Sequence, residues 1–321
     1  KLSSQDVAIC VLGINERNIF LYNHLAKNNV KYGFYLLGLL PLAKKTPLLI
    51  LVKKILQNPL WGLKKIISRQ KIKKIEIKPA DFLIVGGKEA MNDGRYTIGN
   101  QTKIIKGHTF DYDRFLENER NNKNNIREGN AYAVFLDHYL PHHPDFIGHP
   151  NLDGGVVSVE DYYSPLNTFF SFLEENLDLE IIIAAHPRSN YDKIGNPFNN
   201  RKILMNSTAH LTKHSKLVIT HCSASISFAI LYNKPIIFIR DECYHPRFAR
   251  NIDTIAETFE KKPIDISKSY SYLSDKELIV NKSIYRQYKE SFIKEAKTPE
   301  KLLWEIFADY LDNLPLKNIS E

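Results

Sequence analysis

The sequence predicts an α/β protein built on parallel sheets. Short apolar runs end repeatedly in glycine or polar residues, as parallel strands covered on both faces do. Amphipathic helical patterns lie between those runs, which is the rhythm of strands joined by crossover helices. A polar, aperiodic stretch at residues 121–130 separates two such sets and reads as a linker. With 321 residues, 43% apolar and 25% charged, the chain is long enough for two cores and is neither disordered nor collagen-like.

In chain order, Asp6 to Gly13 is the first strand, residues 15–28 a helix with Ile19, Phe20, Tyr22, Leu25 and Ala26 on its apolar face, and 31–37 a second strand. Asp81 to Gly87 and Lys103 to Gly107 are the next strands, followed by a helix over 111–119. Beyond the linker come a strand at 131–137, a helix at 159–177 opened by Ser158, and a strand at 179–185. A short helix at 208–214, a strand at 216–220, a helix at 223–232 and a strand at 235–240 complete the alternation. Residues 276–313 carry helical spacing broken near Pro299. The expected organisation is an N-terminal domain at 1–120, a second α/β domain at 131–275, and a helical tail at 276–321 that packs back on the first domain.

The net charge is +8, and one segment accounts for it. Between Leu42 and Lys78 stand eleven basic residues and a single acid, Glu76, so the rest of the chain is slightly acidic. Lysine pairs at 44/45, 53/54 and 64/65 alternate with Leu, Ile and Trp61. The apolar runs are too short to span a bilayer, and the segment is expected to lie on an anionic membrane surface. A solvated amphipathic helix pair is the plainer alternative. Nucleic acid is not an expected partner, because apart from Trp61 no aromatic residue is interleaved with the charges. Three cysteines without CxxC spacing indicate neither a disulfide framework nor a zinc site, and a cytoplasmic location fits.

In open parallel sheets ligands bind at the carboxyl ends of the strands. Asp137, His138 and the run Pro141-His142-His143-Pro144-Asp145 follow one strand, and His186-Pro187-Arg188 another. His221-Cys222-Ser223-Ala224-Ser225 opens a helix after a third, and Asp241-Glu242 follows a fourth. Serines at a helix start suit an anion, through free N–H groups and hydroxyl donors. A histidine held by proline at a neighbouring strand end can hydrogen-bond a departing phosphate. In the first domain, Gly86 and Gly87 end a strand and could admit a ligand to the backbone, and His108 and Asp111 border its last helix. There is no GxGxxG, no phosphate-binding GxxxxGK[ST] and no HExxH spacing, so neither a nicotinamide cofactor nor a metal is expected.

The His186-Pro187 pair, followed about 35 residues later by the strand–HCSAS–helix unit, resembles the C-terminal domain of GT-B glycosyltransferases that use CMP-activated acidic sugars. These are the bacterial sialyltransferases, polysialyltransferases and Kdo transferases. The likeness covers roughly residues 131–245. It implies a GT-B-like fold of two Rossmann-like domains facing a cleft, a CMP-sugar as donor without further cofactor, and a glycan or lipid-linked acceptor at the inner face of a bacterial membrane. It implies that His186 contacts the CMP phosphate, with Pro187, Arg188 and His221 beside it. Ser223 and Ser225 would hold the phosphate or the sugar carboxylate, and Glu242 would reach the ribose or base. Asp137, at a strand end facing the cleft, would be general base or nucleophile. His108, Asp111, Gly86 and Gly87 would face the acceptor. The Asp/Glu-Asp-Gly pattern of several sialyltransferases is missing, Leu152-Asp153-Gly154 being nearest, which turns the expectation towards Kdo or another ulosonic or nonulosonic acid. A CDP-glycerol or CDP-ribitol phosphotransferase, and a non-catalytic membrane- or polyanion-binding protein, are the other readings of the same pattern.

Overall fold

The computed structural model describes residues 3–15, 17–36, 38–42, 77–92, 98–120, 130–147, 155–268 and 273–313, with 56, 59, 60, 63, 96 and 152 besides. Most of the basic segment 42–78 and nearly all of the linker 121–130 lie outside the described residues. The chain forms two compact units, one of residues 1–39, 44–110 and 290–321, the other of 40–43 and 111–289. Each contains one sheet, and both sheets are parallel throughout, the α/β class read from the sequence.

In the first unit, β1 (Val7–Cys10), β2 (Lys31–Leu36), β3 (Phe82–Val85) and β4 (Lys103–Lys106) lie in chain order across the sheet. Period-2 alternation divides their side chains between two cores. Tyr32, Phe34, Leu36, Leu83 and Val85 join Tyr22 and Leu25 of α1 (Ile19–Lys27) on one face. Phe82, Ile84 and Ile105 meet Leu303, Ile306 and Phe307 of the C-terminal helix (Leu303–Asp312) on the other. Gly33 is required here, since a Cβ would stand 2.4 Å from the Phe82 ring. Contrary to the helical-face expectation, Phe20 is exposed rather than in the core. Helix α1 starts only at Ile19, and Ile19, Tyr22 and Leu25 supply its buried stripe.

The second unit holds α2 (Phe110–Arg120), whose first residue belongs to the first unit, then β5 (Tyr132–Leu136), α3 (Val159–Leu177), β6 (Glu180–Ala184), α4 (Tyr191–Ile194) and β7 (Ile203–Leu204). After these come α5 (Thr208–His214), β8 (Leu217–Thr220), α6 (Ile226–Leu231), β9 (Ile236–Arg240), α7 (Pro246–Thr258) and β10 (Ile264–Asp265). Its sheet runs β10-β9-β8-β5-β6-β7. Counted from β5 as the first strand, this is the doubly wound order 3-2-1-4-5-6, whose order of strand addition reverses between β5 and β8. Helix α3 starts where Ser158 Oγ accepts the Asp161 N–H at 3.1 Å, and buries Tyr162, Leu166, Phe169, Phe170 and Leu173. The serine-led helix is shorter than its spacing predicts. Ser223 Oγ accepts the Ser225 N–H at 3.3 Å, and that turn delays α6 to Ile226.

Candidate functional site

A doubly wound sheet leaves a crevice at the carboxyl ends of its strands where the winding reverses, because the crossover chains diverge to opposite faces there. In the second unit that place is between β5 and β8. Leu136 pairs with both Ala184 of β6 and Thr220 of β8, so Asp137 is flanked by the residues that lead to His186 and by His221. Adjacent strands are about 4.8 Å apart, which puts the three polar strand ends within one small-molecule span.

Asp137 stands at this strand end but is turned inward, 4% exposed, not towards an open cleft. Its Oδ1 accepts the Tyr139 N–H at 2.8 Å, and its Oδ2 accepts the Tyr191 hydroxyl at 2.7 Å and the His186 N–H at 3.4 Å. Burial pushes its carboxyl up to about 6 against the pull of these donors. Asp137 thus ties the loop after β5 to the loop after β6. Tyr139, which it holds, is a buried non-glycine residue with φ +55°, a strained conformation of the kind often found beside functional sites.

His186 is half-buried, with Pro187 and Arg188 exposed beside it. Its Nδ1 accepts the Arg188 N–H at 3.1 Å, so the neutral ring carries its proton on Nε2. Burial lowers its pKa to about 4, with His143 and Arg188 adding repulsion. Arg188 Nη1 reaches Asp145 Oδ1 at 2.7 Å. His143 lies 4.6 Å from His186, ring centroid to ring centroid, and its pKa is likewise lowered by burial. His138 completes the group, lowered to about 4 mainly by burial, with His186 and His143 contributing. At neutral pH the strand ends therefore present uncharged imidazoles.

Ser223 and Ser225 are half-buried at the end of β8, and Ser225 makes no side-chain cap to α6. His221 departs from the expectation of a ligand contact. It is fully buried, its Nε2 is 3.0 Å from the Tyr244 hydroxyl, and it packs among Phe135, His138, Tyr162 and Phe248. Glu242 is exposed and paired with Lys268 at 2.9 Å, at the end of β9 beyond β8.

The acceptor-side expectations fare differently. His108 is fully buried in the first unit, with Nε2 on the Lys301 carbonyl at 2.8 Å and Nδ1 on the Thr109 carbonyl at 3.1 Å, so it knits the chain rather than facing a ligand. Gly86 and Gly87 are buried as well, and a Cβ on Gly87 would stand 2.5 Å from the Ser291 carbonyl oxygen. Backbone of the same unit occupies the space a ligand would need. Asp111 belongs to the second unit, where burial pushes its carboxyl up to about 6 and the Ser227 hydroxyl opposes this. Among the described residues no cluster of His, Cys, Asp or Glu is arranged to hold a metal ion. No helix of the described residues is long and apolar enough to cross a membrane. His143 and Asp145 were placed after a strand by the sequence without a role of their own, and Tyr191, which bonds Asp137, was not singled out. The available signal for the first two was a second His-Pro dipeptide after the strand next to that of His186.

No family model and no curated protein sequence matches the chain. Among solved structures, it is similar to the UDP-bound MnaA of S. aureus, at 17% identity over 97% of this chain and 78% of that one, with a TM-score of 0.46. It is similar to the UDP-GlcNAc 2-epimerase of Methanocaldococcus jannaschii in complex with UDP-GlcNAc and UDP, at 15% identity over 88% and 75%, TM-score 0.41. It is also similar to KpsC of Thermosulfurimonas dismutans, a beta Kdo 2,7 transferase, at 15% identity over 85% and 88%, TM-score 0.30. Identity is low in each case, and the architecture rests on the two sheets rather than on the likeness.

Proposed function

We propose that the chain is a glycosyltransferase that moves an acidic sugar, Kdo or another ulosonic or nonulosonic acid, from a CMP-activated donor to a hydroxyl of a cell-surface glycan or lipid-linked acceptor. The observation that carries this reading is the place of His186, an uncharged N–H donor at the end of β6, held by Asp137, which stands at the reversal point of the doubly wound sheet. On this reading the CMP phosphate lies at the ends of β5, β6 and β8. His186 Nε2–H donates to a phosphate oxygen, and the Ser223 and Ser225 hydroxyls hold the phosphate or the sugar carboxylate. The acceptor hydroxyl oxygen attacks the anomeric carbon as the bond from that carbon to the phosphate oxygen breaks, and the hydroxyl proton passes to the departing phosphate. The electron pair leaves with CMP, and the imidazole N–H stabilises the developing charge. CMP is a stable leaving group, and the reading invokes no cofactor. Asp137 is a positioning residue that sets the His186 turn, since its oxygens are already engaged. We place the enzyme on an anionic membrane through residues 42–78, where Leu56, Leu60 and Leu63 are exposed apolar side chains in a lysine-rich sequence.

The experiment is nucleotide release from CMP-Kdo, CMP-sialic acid, CDP-glycerol and UDP-GlcNAc in the presence of a bacterial glycolipid extract. CMP release is expected, reduced about 100-fold in His186→Ala with the thermal unfolding midpoint unchanged. Release from CDP-glycerol alone would move the reading to phosphotransfer. Turnover of UDP-GlcNAc alone, or no binding of any cytidine nucleotide, would sink it.

A further inference from the structure

Two loops leaving paired strands make the same turn. His143-Pro144-Asp145 follows β5, and His186-Pro187-Arg188 follows β6. In each, the imidazole Nδ1 accepts the N–H of the residue two positions on, from Asp145 and from Arg188, both at 3.1 Å. A ring nitrogen that accepts cannot carry the proton of a neutral imidazole, so both rings carry it on Nε2. The rings lie 4.6 Å apart at 68°, and the Asp145–Arg188 ion pair joins the two turns through their third residues. Neither Nε2 has a hydrogen-bond partner among the described residues.

A third turn of this kind, His245-Pro246-Arg247, makes the same 3.1 Å bond and opens α7. The turn alone is therefore a capping device. What distinguishes the first two is that they face each other and leave their Nε2 atoms unpaired. The prolines fix the backbone of both turns before any ligand arrives, which limits the entropy lost on binding.

We propose that His143 and His186 form a two-imidazole clamp, their Nε2–H groups donating to oxygens of one phosphate group of the nucleotide donor, which makes His143 a second ligand-binding residue. The inference rests on the reading of His186 as a donor-phosphate contact. Arg188, at the rim, adds positive charge beside the clamp.

Calorimetric titration with CMP, UDP and inorganic phosphate tests it on the full chain. Asn at a histidine position retains an acceptor where Nδ1 stood, and so keeps the turn, but has no group where Nε2 stood. His143→Asn and His186→Asn should each weaken CMP binding about 10- to 100-fold, the range for one hydrogen bond to a charged group. His245→Asn should leave binding unchanged. If His186→Asn loses affinity and His143→Asn binds as the parent does, the clamp is overturned while the donor-site reading stands. If neither loses affinity, or the parent binds none of the three ligands, both fall. Loss in His143→Asn alone also overturns the clamp. Should His143→Asn fail to fold, imidazole 15N spectra of the unaltered chain decide. CMP should shift the Nε2 resonances of both histidines, and a shift of only one overturns the proposal.

Discussion

Replacing Tyr191 with Phe deletes one hydroxyl from the buried network that holds Asp137. That hydroxyl donates to Oδ2 at 2.7 Å, and only the 3.4 Å bond from the His186 N–H remains on the same oxygen. Both residues are under one-tenth exposed, so water does not replace the lost donor. A hydrogen bond to a charged partner contributes about 1.5–3 kcal/mol, and a neutral pair about 1 kcal/mol. Which of these is lost depends on pH, because burial already pushes the Asp137 carboxyl up to about 6, above the ordinary value of 3.8. A folded pKa raised this way means the folded state holds more protons between about pH 4 and 6, so stability falls as pH rises through that window and is level above it. Removing a donor to the carboxylate raises the folded pKa further and extends the decline upward. The variant should therefore lose about 1 kcal/mol at pH 5 and about 2–3 kcal/mol at pH 8. Urea unfolding followed by far-ultraviolet circular dichroism measures this. Fluorescence of Trp304 serves as a control, since that residue belongs to the other unit. Equal losses at the two pH values, or a loss under about 0.5 kcal/mol at pH 8, would refute the account of Asp137 as a buried carboxylate held by Tyr191.

Gly87→Ala should destabilise the first unit by about 2–3 kcal/mol, from its φ of +99° and from the 2.5 Å approach of a Cβ to the Ser291 carbonyl. Tryptophan fluorescence during urea unfolding reports it, and a neutral result would mean that the backbone there can yield. Replacing Lys53, Lys54, Lys64 and Lys65 with Ala should weaken binding to phosphatidylglycerol vesicles by about 1 kcal/mol per lysine, with CMP binding unchanged. Vesicle cosedimentation that ignores both this change and added salt would remove the membrane assignment.

All the strands except the two-residue β7 and β10 were legible because their information is local. Ile181 to Ala184 and Leu217 to Thr220 are buried along their whole length, and a continuous apolar run states that directly. Helix α7 escaped notice although Phe248, Ile252, Ile255 and Ala256 follow its buried stripe. Two arginines and two acids dilute that pattern, and its His245-Pro246 start is not among the usual capping pairs. Side-chain direction was not legible at all. Asp137 turns inward to meet Tyr191, 54 positions further on, and His108 bonds the carbonyl of Lys301, 193 positions away. Such partners are chosen by the sheet and its crossovers, and no window around Asp137 or His108 contains them.

The charges divide in a way that bears on recognition. The formal excess sits in residues 42–78, whereas ions near the site are balanced at close range, Arg188 by Asp145 and Glu242 by Lys268. His138, His143 and His186 are held below their ordinary pKa by burial, so they add no charge at neutral pH. An anion at these strand ends meets oriented N–H and O–H donors rather than a cationic field. Donor geometry is fixed by the fold: the Asp137 carboxylate sets the His186 backbone, and the turn bonds set the two tautomers. Screening by salt weakens a long-range field far more than a short directional bond. On the proposed function, location would rest on the basic segment and substrate choice on a few neutral groups at the end of one sheet.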